Sequence, residues 1–294
     1  MAKRILITGA YGFTGVHLSQ HLAKNGYQIL SLQADITDSS AISAEISTLT
    51  QDEPIDYVLH LAAISFVAHS DALDFYRVNV LGSENLLKAL FQLKTAPKKV
   101  ILASSAAVYG SHHGKELLEE SLCPRPQNHY GYSKLAMELL AQTYKDKLPI
   151  LITRPFNYTG AGQAESFVIP KLIKHFVEKA EVIELGNLQV WREFNDVADI
   201  CVWYQQLMEN PEALGIVNLC SERLVSLQEV LLQLTKLTGH QPRIEVNPAF
   251  VRANELPRLG GSAQKLKQWI KPTEVRSLQQ TLGGLLQSRT TAPN

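Results

Sequence analysis

The pattern in this chain most able to do chemistry is Tyr130-Gly-Tyr-Ser-Lys134, a tyrosine followed four residues later by a lysine. The surrounding residues read as a helix running to about Lys145, and at that spacing the two side chains share one helix face. A free tyrosine has a pKa of about 10 and is a poor proton donor or acceptor at neutral pH. A nearby ammonium favours the phenolate and draws the pKa toward the working range, so the pair reads as a general acid/base with its own tuner. The spacing alone is weak, because a Tyr and a Lys four apart are commonly just neighbours on a solvated helix. A serine pair gives it weight. Ser104-Ser105 ends the buried run Lys99-Val-Ile-Leu-Ala103, where a hydroxyl would lie beside a ligand and bond a substrate oxygen while Tyr130 transfers the proton. No histidine lies near enough in sequence to make that serine a nucleophile.

The elements that must position these groups begin at the N-terminus. Arg4-Ile-Leu-Ile-Thr8 is a short apolar run, as in a strand buried on both faces. It leads into Gly9-Ala-Tyr-Gly12-Phe-Thr-Gly15 and then a helix from about Thr14 to Lys24, ended by Asn25-Gly26. Strand, glycine loop and helix in that order suit a dinucleotide pyrophosphate, with a plain turn as the bland alternative. After a second strand, Tyr27–Leu32, the acid or base that would select between ribose 2′-groups is missing. The chain passes through Gln33 to Asp35-Ile-Thr-Asp38. Asp35 either sits by an adenine or caps a helix from Ser39 to Thr50, and NAD versus NADP stays open.

Ile55–Ala63 reads as another buried strand, with small Ala62 and Ala63 at the end where open α/β sheets bind ligands. Ser65–Ser70 is a loop over that end or a plain connector. A helix follows from about Leu73 to Leu93, and Asn79 within it needs hydrogen bonds if buried. It either holds backbone near a cofactor or joins two helices. Pro149–Thr153 is a further core strand, leading to Arg154-Pro-Phe-Asn157. Beyond it the simple alternation of strands and helices loosens. Arg192 and Arg252 could together clamp a diphosphate, although each alone reads more readily as a surface or ion-paired arginine.

Composition removes several classes. With 294 residues, 45% apolar and 19% charged, the chain can bury a large core and is not disordered. A formal net charge of zero offers no global field for nucleic acid or an anionic membrane. Cys123, Cys201 and Cys220 are odd in number and far apart, which suggests neither a disulfide framework nor a zinc site. His112-His113-Gly114 is a polar loop, and no metal is expected. No apolar run is long enough for a bilayer span, and Gly9 cuts short the only stretch resembling a signal peptide. A soluble, reducing, cytoplasmic setting is expected.

Taken together, these motifs resemble an extended short-chain dehydrogenase/reductase of the NDP-sugar epimerase/dehydratase superfamily. The matching pieces are Thr8–Gly15, Asp35-Ile36, His60-Leu-Ala-Ala63, Asn79-Val-Leu-Gly82, Ser104-Ser105 with Val108-Tyr-Gly110, Tyr130–Lys134 and Arg154–Asn157. Within that superfamily the chain is most similar to GDP-6-deoxy-4-keto-mannose reductases, through Arg154–Gln163, Phe167-Val168, Gly186-Asn-Leu, Arg192–Val197, Asn218–Ser221 and Arg252–Pro257.

The resemblance implies an α/β fold: a Rossmann-type doubly wound parallel sheet with a smaller, discontinuous C-terminal α/β substrate lobe. The cofactor domain would be residues 1–156, with later segments returning to it, and the substrate lobe mainly 157–294. Gly9, Gly12, Phe13 and Gly15 would wrap the cofactor pyrophosphate. Asp35 and Ile36 would border the adenine, and Leu61, Ala62, Asn79 and Lys134 would contact the rest of the cofactor. Tyr130 would be the acid, tuned by Lys134, and Ser105 would align the substrate. Ser65, Asn157, Phe167, Val168, Arg192, Arg252 and Glu255 would receive the nucleotide sugar. Ala106 and Ala107 stand where dehydratases carry an extra acid, and Ala106 also where the fucose-synthase branch carries a cysteine. That points to a 4-ketoreductase of an NDP-6-deoxy-4-keto-hexose, GDP-linked, using NADP or NAD with NADPH favoured. The alternatives are an NDP-sugar 4-epimerase and a catalytically silent nucleotide-sensing protein on the same fold. A homodimer is also implied.

Overall fold

A computed structural model describes residues 2–66, 69, 71–112, 116–250 and 256–290. The first half alternates strand and helix: β1 (Arg4–Thr8), α1 (Phe13–Lys24), β2 (Gln28–Ser31), α2 (Ser39–Leu49), β3 (Tyr57–His60), α3 (Ala72–Tyr76), a π-helical segment (Arg77–Gly82), α4 (Ser83–Phe91), β4 (Lys99–Ala103), α5 (His129–Ala141) and β5 (Ile150–Pro155). The second half carries β6 (Tyr158–Thr159), α6 (Val168–Val177), β7 (Val182–Leu185), β8 (Trp191–Arg192), β9 (Asn195–Asp196), α7 (Val197–Glu209) and β10 (Gly215–Leu219). It ends with β11 (Val225–Ser226), α8 (Leu227–Thr238), β12 (Arg243–Val246), β13 (Arg258–Leu259), α9 (Gln264–Trp269) and α10 (Leu278–Thr290).

Six strands form one sheet in the order β10-β5-β4-β3-β1-β2, and every neighbouring pair is parallel. The chain leaves β1 for β2 on one side and returns to β3 on the other, so the topological switch lies between β1 and β3. Alternation along each strand explains the two layers. Ile5, Ile7, Leu59, Ile101 and Leu151 join the core that contains α1 and α7, while Leu6, Val58, Val100, Leu102 and Ile152 join the core that contains α2, α4 and α5. Both faces are buried, and for that reason the strands read as continuous apolar runs. A third core, built from α6, α8, α10 and β7, lies outside the sheet. The long β10 strand and the α7 helix come from the second half of the chain yet belong to the main sheet and its core.

The helix expected over 73–93 is present but not uniform. It runs from Ala72 to Phe91 with its middle turns in π geometry around Asn79. Asp38, not Asp35, caps α2, accepting from the amides of Ser40 and Ala41. Asp35 instead closes a tighter turn, its Oδ1 accepting from the Thr37 amide and hydroxyl at 2.8 Å each. The helix-cap alternative for Asp35 is therefore corrected by three residues: Asp38 is the residue directly preceding the first helical turn. Cys123, Cys201 and Cys220 are all free thiols.

Candidate active site

The pair Tyr130 and Lys134 sits on the first two turns of α5. Asn128 caps that helix, its side chain accepting from the Gly131 amide. Gly131 is required by close approach, since a Cβ there would lie 2.8 Å from the Ala107 carbonyl oxygen. Helix and serine segment can thus touch. Ser105 caps the short turn Ala106–Val108, its Oγ accepting from the Ala107 amide at 3.1 Å, and its hydroxyl lies close enough to the Tyr130 phenol to favour the ionised form. Ser104, by contrast, is buried and bonds Glu138, so Ser105 is the serine that faces the tyrosine. The ring of Phe75 packs 6.1 Å from that of Tyr130.

Burial pushes the Tyr130 phenol up to about 12, and the Ser105 hydroxyl opposes that rise. The sequence alone predicts a tyrosine drawn down by its lysine. Burial sets the direction here instead, and the Lys134 ammonium donates to the Ala103 carbonyl at 2.7 Å. Lys134 is itself pushed down to about 8 by burial, with the Glu138 carboxylate acting against the shift. One turn further along α5, Glu138 takes a bidentate bond from Arg154 at 2.9 and 2.6 Å, and the Ser104 hydroxyl adds a third contact. Arg154 also lies over the Tyr109 ring at 4.7 Å. This buried ion pair fastens α5 to the ends of β4 and β5. Losing either partner would leave an uncompensated buried charge, at a cost of about 3–5 kcal/mol.

A second network, neutral throughout, joins the glycine loop to the same helix. Ser83 Oγ donates to the Asn79 carbonyl at 2.7 Å, so it accepts from His60 Nε2 at 2.8 Å. His60 Nδ1 must then accept from Thr8 Oγ1 at 2.6 Å, and Thr8 Oγ1 accepts from the Ala62 amide at 3.1 Å. The directions assign the Nε2–H tautomer. Burial, with the Lys134 charge nearby, pushes His60 down to about 3 and keeps it neutral. Asn79 continues the chain: Oδ1 accepts from the Ile64 amide, while Nδ2 donates to the Ile64 carbonyl and to Ser133 Oγ. Ser133 Oγ donates to the Tyr130 carbonyl. Asn79 thus braces backbone after β3 and also joins two helices.

The N-terminus of α1 has Gly12 at its cap, no side-chain cap and no acid in its first turn. Gly9 has φ of +68°, and a Cβ there would lie 2.7 Å from the Ala62 nitrogen. Gly15 is buried in the first turn of α1. Phe13 stacks on Tyr158 at 6.0 Å, and Thr14 Oγ1 meets the Tyr158 hydroxyl at 2.7 Å, which brings exposed Asn157 beside the glycine helix. Leu61 and Ala62 are half-buried at the end of β3. Ile36 is mostly buried against Gly82, whereas Asp35 is exposed in the turn after edge strand β2. Exposed Ser65 precedes Phe66, whose ring meets Phe167 at 6.2 Å, the residue just before Val168 opens α6. Arg192, in β8, donates to the carbonyls of Trp191 and Pro257. Arg252 and Glu255 lie outside the described residues. Among the described residues, no group of three or more His, Cys, Asp or Glu could hold a metal, and no helix is long and apolar enough to cross a membrane.

Sequence reasoning does not assign Thr8, His60, Phe75, Ser83, Ser133 or Glu138. His60 carries a signal, a polar residue inside a buried strand, but its partners lie 23 and 52 positions away.

The model of the NAD dependent epimerase/dehydratase family matches residues 5–220. The chain belongs to that family. It is 34% identical over 264 residues to a GDP-6-deoxy-D-talose 4-dehydrogenase of Aggregatibacter actinomycetemcomitans, covering 90% of each chain. It is 32% identical over 276 residues to a GDP-6-deoxy-D-mannose reductase of Pseudomonas aeruginosa, again with 90% of each covered. Among solved structures, RMD from Pseudomonas aeruginosa complexed with NADPH superposes with a TM-score of 0.87 at 29% identity, over 98% of this chain and 97% of that one. A UDP-glucose 4-epimerase of Thermus thermophilus in complex with NAD shares the fold, with a TM-score of 0.86 at 23% identity over 99% of this chain and 100% of that one. This member of the extended short-chain dehydrogenase/reductases is an NAD(P)-dependent oxidoreductase.

Proposed function

We propose that the protein reduces the 4-keto group of a nucleotide-diphospho-6-deoxy-4-keto-hexose, GDP-6-deoxy-4-keto-D-mannose in particular, yielding a GDP-rhamnose or GDP-6-deoxytalose type product. The observation that carries this reading is the placement of Tyr130 on α5, packed through Gly131 against the Ser105–Ala107 turn, with only Ala106 and Ala107 after the serine. The dehydratase acid and the fucose-synthase thiol are absent from these positions, which argues against those two reactions. The names borne by the two sequence relatives support a GDP-linked sugar.

The residues suit a dinucleotide. Uncapped amides at the start of α1 can face a pyrophosphate, and Gly9 lets the glycine loop lie directly against the Leu61–Ala62 backbone at the end of β3. A bound nicotinamide supplies the hydride that adds to C4. Tyr130 then gives its proton to O4 as negative charge builds there, and Ser105 donates a second hydrogen bond to the same oxygen. Lys134 holds the cofactor ribose and its charge offsets the phenolate left on Tyr130. Asn157, Phe167, Val168 and Arg192, with Ser65, Arg252 and Glu255, receive the nucleotide sugar in the lobe formed mainly by residues 157–294. Two copies pair through α3, the π segment and α5, where Leu73, Leu81 and Leu139 are 65%, 53% and 64% exposed.

Tyr130→Phe tests the assignment. Turnover should fall by roughly 10²–10⁴-fold, while affinity for the dinucleotide stays within a few-fold. Near-normal turnover would refute the role of Tyr130.

A further inference from the structure

The end of β2 lacks the acidic or basic residue that usually selects between NAD and NADP. We infer that Glu45, reaching back from α2, is the selecting acid, and that the protein prefers NAD(H). The inference rests on the dinucleotide site proposed above. The Glu45 carboxylate accepts from the Gln33 amide at 2.9 and 3.1 Å and from the Ala34 amide at 2.7 Å. These amides lie just past the C-terminal end of β2, beside the glycine loop. Contact with that loop is direct: Gln33 Nε2 donates to the Tyr11 hydroxyl at 2.9 Å. Glu45 therefore occupies the place that an acid at the strand end would fill, although it arrives from a helix.

Three features work against a 2′-phosphate there. The two amides that could receive it are already bonded to a carboxylate. No Lys or Arg occurs between Ser31 and Pro54, or within Gly9–Gly15. Asp35 and Asp38 add two more negative charges to the same segment. A phosphate carrying nearly two charges would be desolvated among like charges with no cation in these two segments to bond it. A 2′-hydroxyl meets none of these costs. A carboxylate offers about four lone-pair positions, so Glu45 can accept from a ribose hydroxyl in addition to its two amides. This reverses the preference for NADPH expected from the sequence. The signal is hidden because Glu45 lies far past the end of β2 in sequence, in the second turn of the helix that follows.

The test is calorimetric titration of the full-length protein with NADH and with NADPH, without sugar, in wild type and Glu45→Gln. Glutamine keeps an acceptor oxygen for the amides and removes the charge. Wild type should bind NADH at least about tenfold more tightly than NADPH, and the variant should bring the two within about threefold, chiefly by improving NADPH. Equal or tighter NADPH binding by wild type would overturn the inference, and so would an unchanged ratio in a folded variant. If the variant fails to fold, the wild-type ratio alone decides. Binding of neither dinucleotide would sink the site reading together with this one, whereas NADH selectivity without sugar reduction would sink only the ketoreductase.

Discussion

At Tyr130 two influences compete. Burial holds the phenol neutral, and the hydroxyl of Ser105 favours its ionised form. A neutral phenol is the form that donates, which suits reduction better than the reverse oxidation. Lys134 is more finely set: pushed down to about 8, it carries its charge at pH 7 and loses it as pH rises. The kcat/KM for the dinucleotide, which reports the free enzyme, should accordingly be level near pH 7 and fall above about pH 8, by up to roughly tenfold per unit. A profile flat to about pH 9.5 would show that the Lys134 charge is not needed. The Tyr130–Lys134 pairing is legible in the sequence because both residues ride one helix. The sign of the tyrosine shift is not, since it depends on burial among Phe75 and other groups distant in the chain.

The helix that carries Asn79 shows what an element contributes. Its π geometry puts an extra residue into the turn, and the Asn79 side chain reaches both the backbone after β3 and Ser133 on α5. Such bulges often mark functional positions. Replacing Asn79 by Ala would leave the Ile64 amide and carbonyl and the Ser133 hydroxyl short of a partner, at about 1–3 kcal/mol per buried group. Because Ile64 is only half-buried, urea denaturation should show a loss of roughly 2–4 kcal/mol, accompanied by weaker dinucleotide binding. A loss below about 1 kcal/mol would mean that water replaces the side chain without cost. The helix itself is visible in the sequence from its apolar spacing. Its π segment is not, because it is defined by backbone hydrogen bonding rather than by residue type. The cap of α2 is ambiguous in the sequence for a related reason: Asp35 and Asp38 are both good caps, and only the backbone path decides between them. The strands are easier, since β1, β3, β4 and β5 are buried on both faces and read as apolar runs.

Across the whole molecule, β10 and α7 return from the second half of the chain to complete the sheet, so the two halves are interleaved. Periodicity does not show this, because sheet order is a long-range property. The proposed pairing surface belongs to the same scale. Leu139→Arg on α5 should convert a dimer to a monomer in sedimentation equilibrium at micromolar concentration, and a wild-type protein already monomeric there would contradict the pairing. The central claim is tested most directly by the absorbance of the reduced nicotinamide. Purified protein would be mixed with NADH or NADPH and freshly prepared GDP-6-deoxy-4-keto-D-mannose. Our account predicts loss of absorbance in proportion to the sugar added, one cofactor oxidised per keto group. A flat trace from protein shown to bind the cofactor would contradict it and point to an epimerase or to a different nucleotide sugar.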